Sequence, residues 1–121
     1  MRPIATDLQV LMSQRDWQQI SAVLPEALLA AGYRAQQIHG EEVDLTCEPD
    51  NMLITQYQQQ YGQLAPALRL YRVVINGESD LDLRKATRVV VDSFPPATFW
   101  YGTTNEGHIT PGVDAACAWQ G

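Results

Sequence analysis

The sequence predicts one α/β domain, a two-layer sandwich in which helices cover one face of a mixed sheet. Its 121 residues are enough for one domain of ordinary size, and 45% of them are apolar, which suffices for a core. Segments with helical spacing alternate along the chain with strand-like segments. We place the domain at residues 1–101 and an irregular tail at residues 102–121, where turn-forming residues are frequent.

The first predicted element is a helix that runs from Ser13 to Ala31. Apolar residues recur in it at helical spacing, at Trp17, Ile20, Leu24, Ala27 and Ala31. Ser13 suits the N-cap, and Gly32 suits a helix end because glycine accepts the left-handed conformation. Pro25 removes a backbone donor from the helix interior, so we expect a kink or a break near Val23–Leu24.

A strand and a second helix follow. Residues 41–47 alternate between polar and apolar, which is typical of a half-buried strand, and they follow a turn-like pair, His39-Gly40. Residues 52–61 predict a shorter helix that ends at Gly62. Its apolar side is formed by Leu53, Ile54, Tyr57 and Tyr61.

The second half of the chain predicts an antiparallel hairpin and one further strand. Residues 67–75 and 86–94 are predicted strands, and Arg69–Ile75 pairs with Thr87–Phe94 in a hairpin with a longish loop. Asn76-Gly77 in this loop is the strongest turn signal in the sequence. The run Val89-Val90-Val91 suits burial in a sheet. Pro95-Pro96 ends the hairpin, and residues 98–101 form the last strand.

The charge pattern narrows the class of partner. The net charge is −6 and the charges are scattered, which argues against a nucleic-acid-binding protein because that function needs a basic face. No apolar run is long enough for a membrane span, and the start lacks the apolar core of a signal peptide, so we expect a cytoplasmic protein. Cys47 and Cys117 are interpreted as free thiols, with a disulfide between them as the alternative.

No catalytic, metal or cofactor motif stands out in the sequence. The serines lack a nucleophile elbow, and neither His39 nor His108 has a partner that the sequence can place. Glu78, Asp80 and Asp82 lack the spacing of a calcium loop. We therefore predict no cofactor and no metal site, and we lean towards a protein that is not an enzyme.

Two groups of residues are candidates for binding. Arg69 and Arg88 are predicted on adjacent strands, where their guanidinium groups would clamp a small carboxylate ligand at a subunit interface. The alternative is an exposed arginine at a strand end or a structural ion pair with Asp80, Asp82 or Asp92. Phe99, Trp100 and Tyr101 form a dense aromatic run that we assign to a protein interface, with core packing or a ligand platform as alternatives.

Part of the chain resembles the reactive-intermediate deaminase (Rid) family. The resemblance rests on five segments between residues 20 and 70: Leu29-Ala30-Ala31-Gly32, Ile38, Val43-Asp44-Leu45-Thr46, Tyr57-Gln58-Gln59-Gln60-Tyr61-Gly62 and Pro66-Ala67. It implies a chorismate-mutase-like fold, with Arg69 one place after the family's substrate-binding arginine. Arg84-Lys85-Ala86-Thr87-Arg88 is similar to a stretch of the bacterial monofunctional chorismate mutases that supplies an arginine to the substrate. Both groups form trimers with ligand sites between subunits.

Three functions remain open from the sequence. The first choice is a non-catalytic binding or assembly protein that acts through a protein partner or through self-association, with a homotrimer as one form. The second is a carboxylate-binding protein or enzyme that resembles the Rid deaminases or chorismate mutase. The third is an acidic inhibitor or immunity protein, for which the small size and negative charge are suitable.

Overall fold

The computed structural model describes residues 1–43, 52–62, 68–96 and 98–109. This part of the chain contains four strands and three helices. The strands are β1 (Arg2–Ser13), β2 (Tyr33–Glu42), β3 (Leu68–Ser79) and β4 (Trp100–Glu106), and the helices are α1 (Gln14–Ala30), α2 (Met52–Tyr61) and α3 (Leu83–Val91). None of these three helices is both long and apolar enough to cross a membrane.

The four strands form one sheet in the order β2-β3-β1-β4. Every pairing is antiparallel, so the sheet is antiparallel where a mixed sheet was expected. With α2 set aside, the order β1-α1-β2-β3-α3-β4 is the split β-α-β arrangement that ferredoxin-like domains share. The predicted α/β class is confirmed, with helices that pack against the sheet.

One face of the sheet carries the main core, under α1 and α3. Alternate residues of the strands point into it, because successive side chains of a strand lie on opposite faces. Its buried members are Ile4, Leu8, Val10, Met12, Ile20, Leu24, Leu28, Tyr33, Tyr71, Val73, Ile75, Ala86, Val90 and Phe94. Helix α1 contributes the i, i+4, i+8 row that ends at Leu28 and runs unbroken through Pro25, which is exposed.

The opposite face carries a smaller core under α2. Leu11 and Leu70 are directly paired across β1 and β3, and Ile54 of α2 packs with them. Val43, Tyr57 and Phe99 surround this cluster. Helices therefore contact both faces of the sheet, whereas the sequence predicted them on one.

The predicted hairpin is the main correction to the secondary structure. Residues 86–94 were expected to form a strand, but Leu83–Val91 is helix α3. The side chain of Asp82 caps the helix by accepting a hydrogen bond of 2.9 Å from the backbone N–H of Arg84. Ala86, Thr87 and Val90 are buried at helical spacing, so packing outweighs the strand preference of the three valines.

The predicted turn at Asn76-Gly77 lies within β3. The Asn76 side chain donates to Gln37 Oε1 across the sheet at 3.1 Å. Gly77 lies against β2, where an added Cβ would stand 2.1 Å from the carbonyl oxygen of Arg34. Glycine is therefore required here for a close approach of two strands and not for a turn.

The remaining strands differ from the predictions in position. The central strand β1 was not predicted, and β2 covers Tyr33–Glu42 where residues 41–47 were expected. Residues 44–47, and with them Cys47, lie outside the described residues. The last strand continues from Trp100 to Glu106, so residues 102–106 of the expected tail belong to the sheet. Residues 110–121, including Cys117, are outside the described part.

A row of hydroxyl groups crosses the main core, and we call it the hydroxyl chain. The hydroxyl of Tyr33 lies 2.9 Å from Thr6 Oγ1. Thr104 Oγ1 lies 2.8 Å from Thr6 Oγ1 and 2.7 Å from Thr87 Oγ1. Tyr33 also donates to the carbonyl oxygen of Ile75 at 3.1 Å. The hydroxyl chain joins β2, β1, β4 and α3 and satisfies polar groups that would otherwise be buried without partners.

Candidate binding cleft

Helix α2 supplies two aromatic side chains to one end of the sheet. Tyr57 and Tyr61 are one helical turn apart and lie on the same side of the helix as Ile54. All three belong to the apolar side that the sequence predicted for this helix. Their ring centroids are 4.8 Å apart. Gly62 ends the helix with a positive φ of 89°, and its N–H donates to the carbonyl oxygen of Gln58 at 2.8 Å.

The connection from α3 to β4 supplies a third aromatic ring. The carbonyl oxygen of Phe99 accepts a hydrogen bond of 2.9 Å from the N–H of Leu11, which fixes Phe99 against the end of β1. Thr98 donates from its hydroxyl to the carbonyl oxygen of Pro95 at 2.6 Å. The Phe99 ring meets Tyr57 edge-on at 5.5 Å and Tyr61 at 6.2 Å.

These three rings form one wall of an open cleft of about 260 Å³, which we call the aromatic cleft. It lies where β1 ends and α1 begins. Its lining residues are Leu11, Met12, Asp16, Tyr57, Tyr61, Leu68, Pro95, Pro96, Thr98 and Phe99. Tyr61 is 55% exposed although its ring contacts both of the other rings.

Asp16 is the one charged residue among the described residues that line the aromatic cleft. It lies in the first turn of α1, where a carboxylate is favoured by the positive end of the helix dipole. Its backbone N–H donates to Ser13 Oγ at 3.1 Å, which confirms Ser13 as the predicted N-cap. The cleft thus combines an apolar and aromatic lining with one negatively charged side chain at its rim.

The size and shape of the aromatic cleft suit one or two side chains. Pockets for whole cofactors or drug-sized ligands are usually larger, roughly 300–1,000 Å³. The three rings contact one another, whereas a cage for an alkylammonium ion needs rings that stand apart around the ion. Within the described ranges, no three His, Cys, Asp or Glu residues are grouped as metal ligands would be.

The two predicted ligand-binding arginines lie in different elements. Arg69 is near the start of β3 and pairs with Glu42 at 3.3 Å, and its Nη1 donates to the carbonyl oxygen of Leu68. Arg88 is exposed on helix α3 and not on a strand beside Arg69. The placement on adjacent strands that motivated a shared carboxylate site is therefore not found, because residues 86–94 do not form the second hairpin strand.

The aromatic run predicted as a protein interface divides between the two faces of the sheet. Phe99 lines the aromatic cleft. Trp100 is paired with Val10 and packs against the main core, while Tyr101 is paired with Gln9 on the opposite face and is 36% exposed. The period of two in a strand separates these neighbours.

The opposite face also holds a close ion pair between β1 and β3. Arg72 donates from Nε and Nη2 to the two carboxylate oxygens of Asp7, at 3.1 and 2.8 Å. The Arg72 side chain is only 13% exposed. This two-point contact ties the central strands together and lies apart from the residues that line the cleft.

The sequence identified Phe99 but missed the other walls of the aromatic cleft. Tyr57 and Tyr61 were predicted on the apolar side of a helix, but no local signal indicated that this helix lies on the second face of the sheet. In the sequence, Asp16 is only a charged residue near the start of a predicted helix, and nothing there indicates that it lines a cleft. The exposed ring of Tyr61 beside Pro95 and Pro96 arises from tertiary contacts between segments about 40 residues apart in sequence.

Comparison with protein-family models, with curated proteins and with solved structures gave no match.

Proposed function

We propose that this protein is a non-catalytic binding protein that holds an apolar segment of a protein partner in the aromatic cleft. The observation that carries the proposal is the wall formed by Tyr57, Tyr61 and Phe99. Aromatic side chains next to a small open cleft are typical anchors of protein recognition, because they bury a large area with few rotatable bonds. The volume of the cleft fits one or two side chains of such a segment.

Asp16 gives the proposed segment a charge preference. A carboxylate at the rim of an apolar cleft favours a Lys or Arg beside the docked residues, and the net charge of −6 attracts a basic segment over longer distances. Pro95 and Pro96 present rigid, apolar rings that add no side-chain entropy cost on binding. We therefore expect a partner segment with an aliphatic or aromatic anchor flanked by a basic residue.

A phage-displayed peptide library selected on the immobilised protein tests this proposal. We expect the selected peptides to carry the basic and apolar pattern and to bind Tyr61→Ala at least about tenfold more weakly than wild type, since the loss of an aromatic anchor costs 1.4 kcal/mol or more. Isothermal titration calorimetry of one synthetic peptide measures the change in Kd.

Leu29→Ala is the matched control for Tyr61→Ala. Leu29 is 56% exposed on α1 and does not line the cleft, so its removal leaves peptide affinity unchanged. Asp16→Asn separates charge from shape, and we expect it to weaken peptides with a basic residue more than neutral ones. If the selected peptides bind wild type and Tyr61→Ala equally, the aromatic cleft is not the binding site.

A further inference from the structure

The two edges of the sheet differ in how well they are protected against another strand. Strand β2 carries the charged residues Arg34, Glu41 and Glu42 and a register shift between Ala35 and Gln37. Charges and bulges on an edge strand discourage pairing with other chains. Strand β4, at the other edge, carries a single charged residue, Glu106.

The backbone of β4 is open to solvent in the middle of the strand. Gly102 and Thr103 are both exposed, and because Gly102 has no side chain, its exposed area belongs to the main chain. A larger residue cannot replace Gly102 easily, since an added Cβ would stand 2.2 Å from the carbonyl oxygen of Asp7. The centre of this edge therefore presents backbone groups with no covering side chain at that position.

The net charge of the segment that carries this edge does not oppose the approach of a second copy. Residues 82–106 span α3 and β4, and α3 lies beside the strand through the 2.7 Å contact of Thr87 with Thr104. Their ionisable residues are three acidic and three basic: Asp82, Asp92 and Glu106 against Arg84, Lys85 and Arg88. The segment is thus neutral, and the net charge of −6 comes from the rest of the chain.

We propose that β4 pairs in antiparallel fashion with β4 of a second copy, about a two-fold axis at Thr103. In this register Trp100 lies opposite Glu106, Tyr101 opposite Asn105, and Thr103 opposite its own copy. No two like charges face each other, and like charges directly opposite would be destabilising. The pairing closes on itself as an isologous dimer and joins two four-stranded sheets into one.

Light scattering coupled to size exclusion tests this dimer over a concentration series. We expect the wild type to have twice the 13.5 kDa mass of one chain. Thr103→Lys and Thr103→Glu each put like charges opposite each other at the axis, so each variant alone is expected to have the mass of one chain. An equimolar mixture of the two is expected to recover the dimer, because unlike charges then face each other.

Gln36→Lys, on the exposed part of β2, is the control and retains the dimer mass, and circular dichroism checks that all variants are folded. The recovery in the mixture cannot arise from unfolded variants. A wild type with the mass of one or of three chains overturns the proposal. So does a dimer that both Thr103 variants leave intact, since the contact would then use another surface, such as the exposed side of α1.

Discussion

Tyr33 is fully buried at one end of the hydroxyl chain. Its burial is expected to make the free energy of unfolding depend on pH in alkaline solution. Burial raises the pKa of the Tyr33 phenol above its usual 10.0, although the hydrogen bonds with Thr6 lower it. The unfolded state therefore loses this proton at lower pH than the folded state. Above about pH 10 the unfolded state binds fewer protons, so we expect the free energy of unfolding to fall as the pH rises.

Tyr33→Phe tests this link in urea denaturation at neutral pH and above pH 10. The variant is expected to lose about 1–2 kcal/mol at neutral pH, because Thr6 and the carbonyl oxygen of Ile75 lose a partner. It is also expected to lose less stability than wild type at high pH. Tyr61→Phe, at an exposed tyrosine, serves as the control. An unchanged pH dependence in Tyr33→Phe would contradict the prediction.

At the scale of elements, helix α3 depends on its N-cap residue, Asp82. Asp82→Ala removes the 2.9 Å hydrogen bond to the N–H of Arg84 and is expected to lower the free energy of unfolding by about 1 kcal/mol. Asp80→Ala is the matched control. Asp80 is exposed and pairs with the N-terminal amine at 3.3 Å, so its loss is expected to cost less than about 0.5 kcal/mol. Equal costs for the two variants, measured in urea, would mean that Asp82 does not act as a cap.

The same helix explains where prediction from the sequence succeeded and where it failed. Helices α1 and α2 were predictable because apolar residues recur in each at helical spacing and a glycine follows each helix. In α1 the N-cap Ser13 is a further signal. In α3, three valines mimic a strand, and only the capping Asp82 with Ala86 and Val90 indicated the helix. The capping interaction and the packing decide the outcome, because strand preference depends strongly on context.

The sequence of β1 contains the alternation of apolar residues that is typical of a strand, although no strand was predicted there. Ile4, Thr6, Leu8, Val10 and Met12 occupy alternate positions and all face the main core. The intervening Asp7 pairs with Arg72 on the other face. The aromatic cleft was harder to predict, since its walls come from α2, β1 and the α3–β4 connection. No period along the sequence shows which distant segments share a face of the sheet.

For the whole molecule, the topology predicts an uneven distribution of local stability. β1 and β3 each have a strand on both sides, and cores lie on both of their faces. Among the described residues, α2 contacts the sheet through a few side chains around Ile54. We expect amide hydrogen exchange to be slowest in β1 and β3 and much faster in α2, through local opening. Tyr61→Ala is expected to speed exchange in α2 and to leave β1 unchanged. Protection of α2 equal to that of β1 would show that the two unfold together.

The central position of β1 has a consequence for how the protein is made. This strand is synthesised before both of its neighbours, and its contact between Thr6 and Thr104 joins residues 98 positions apart. A ribosome therefore exposes an apolar strand well before β3 and β4 have emerged. Pairing of such distant segments is slow, because a long loop must close before any contact stabilises it. We therefore expect β1 to stay without its strand partners until synthesis reaches β3 and β4.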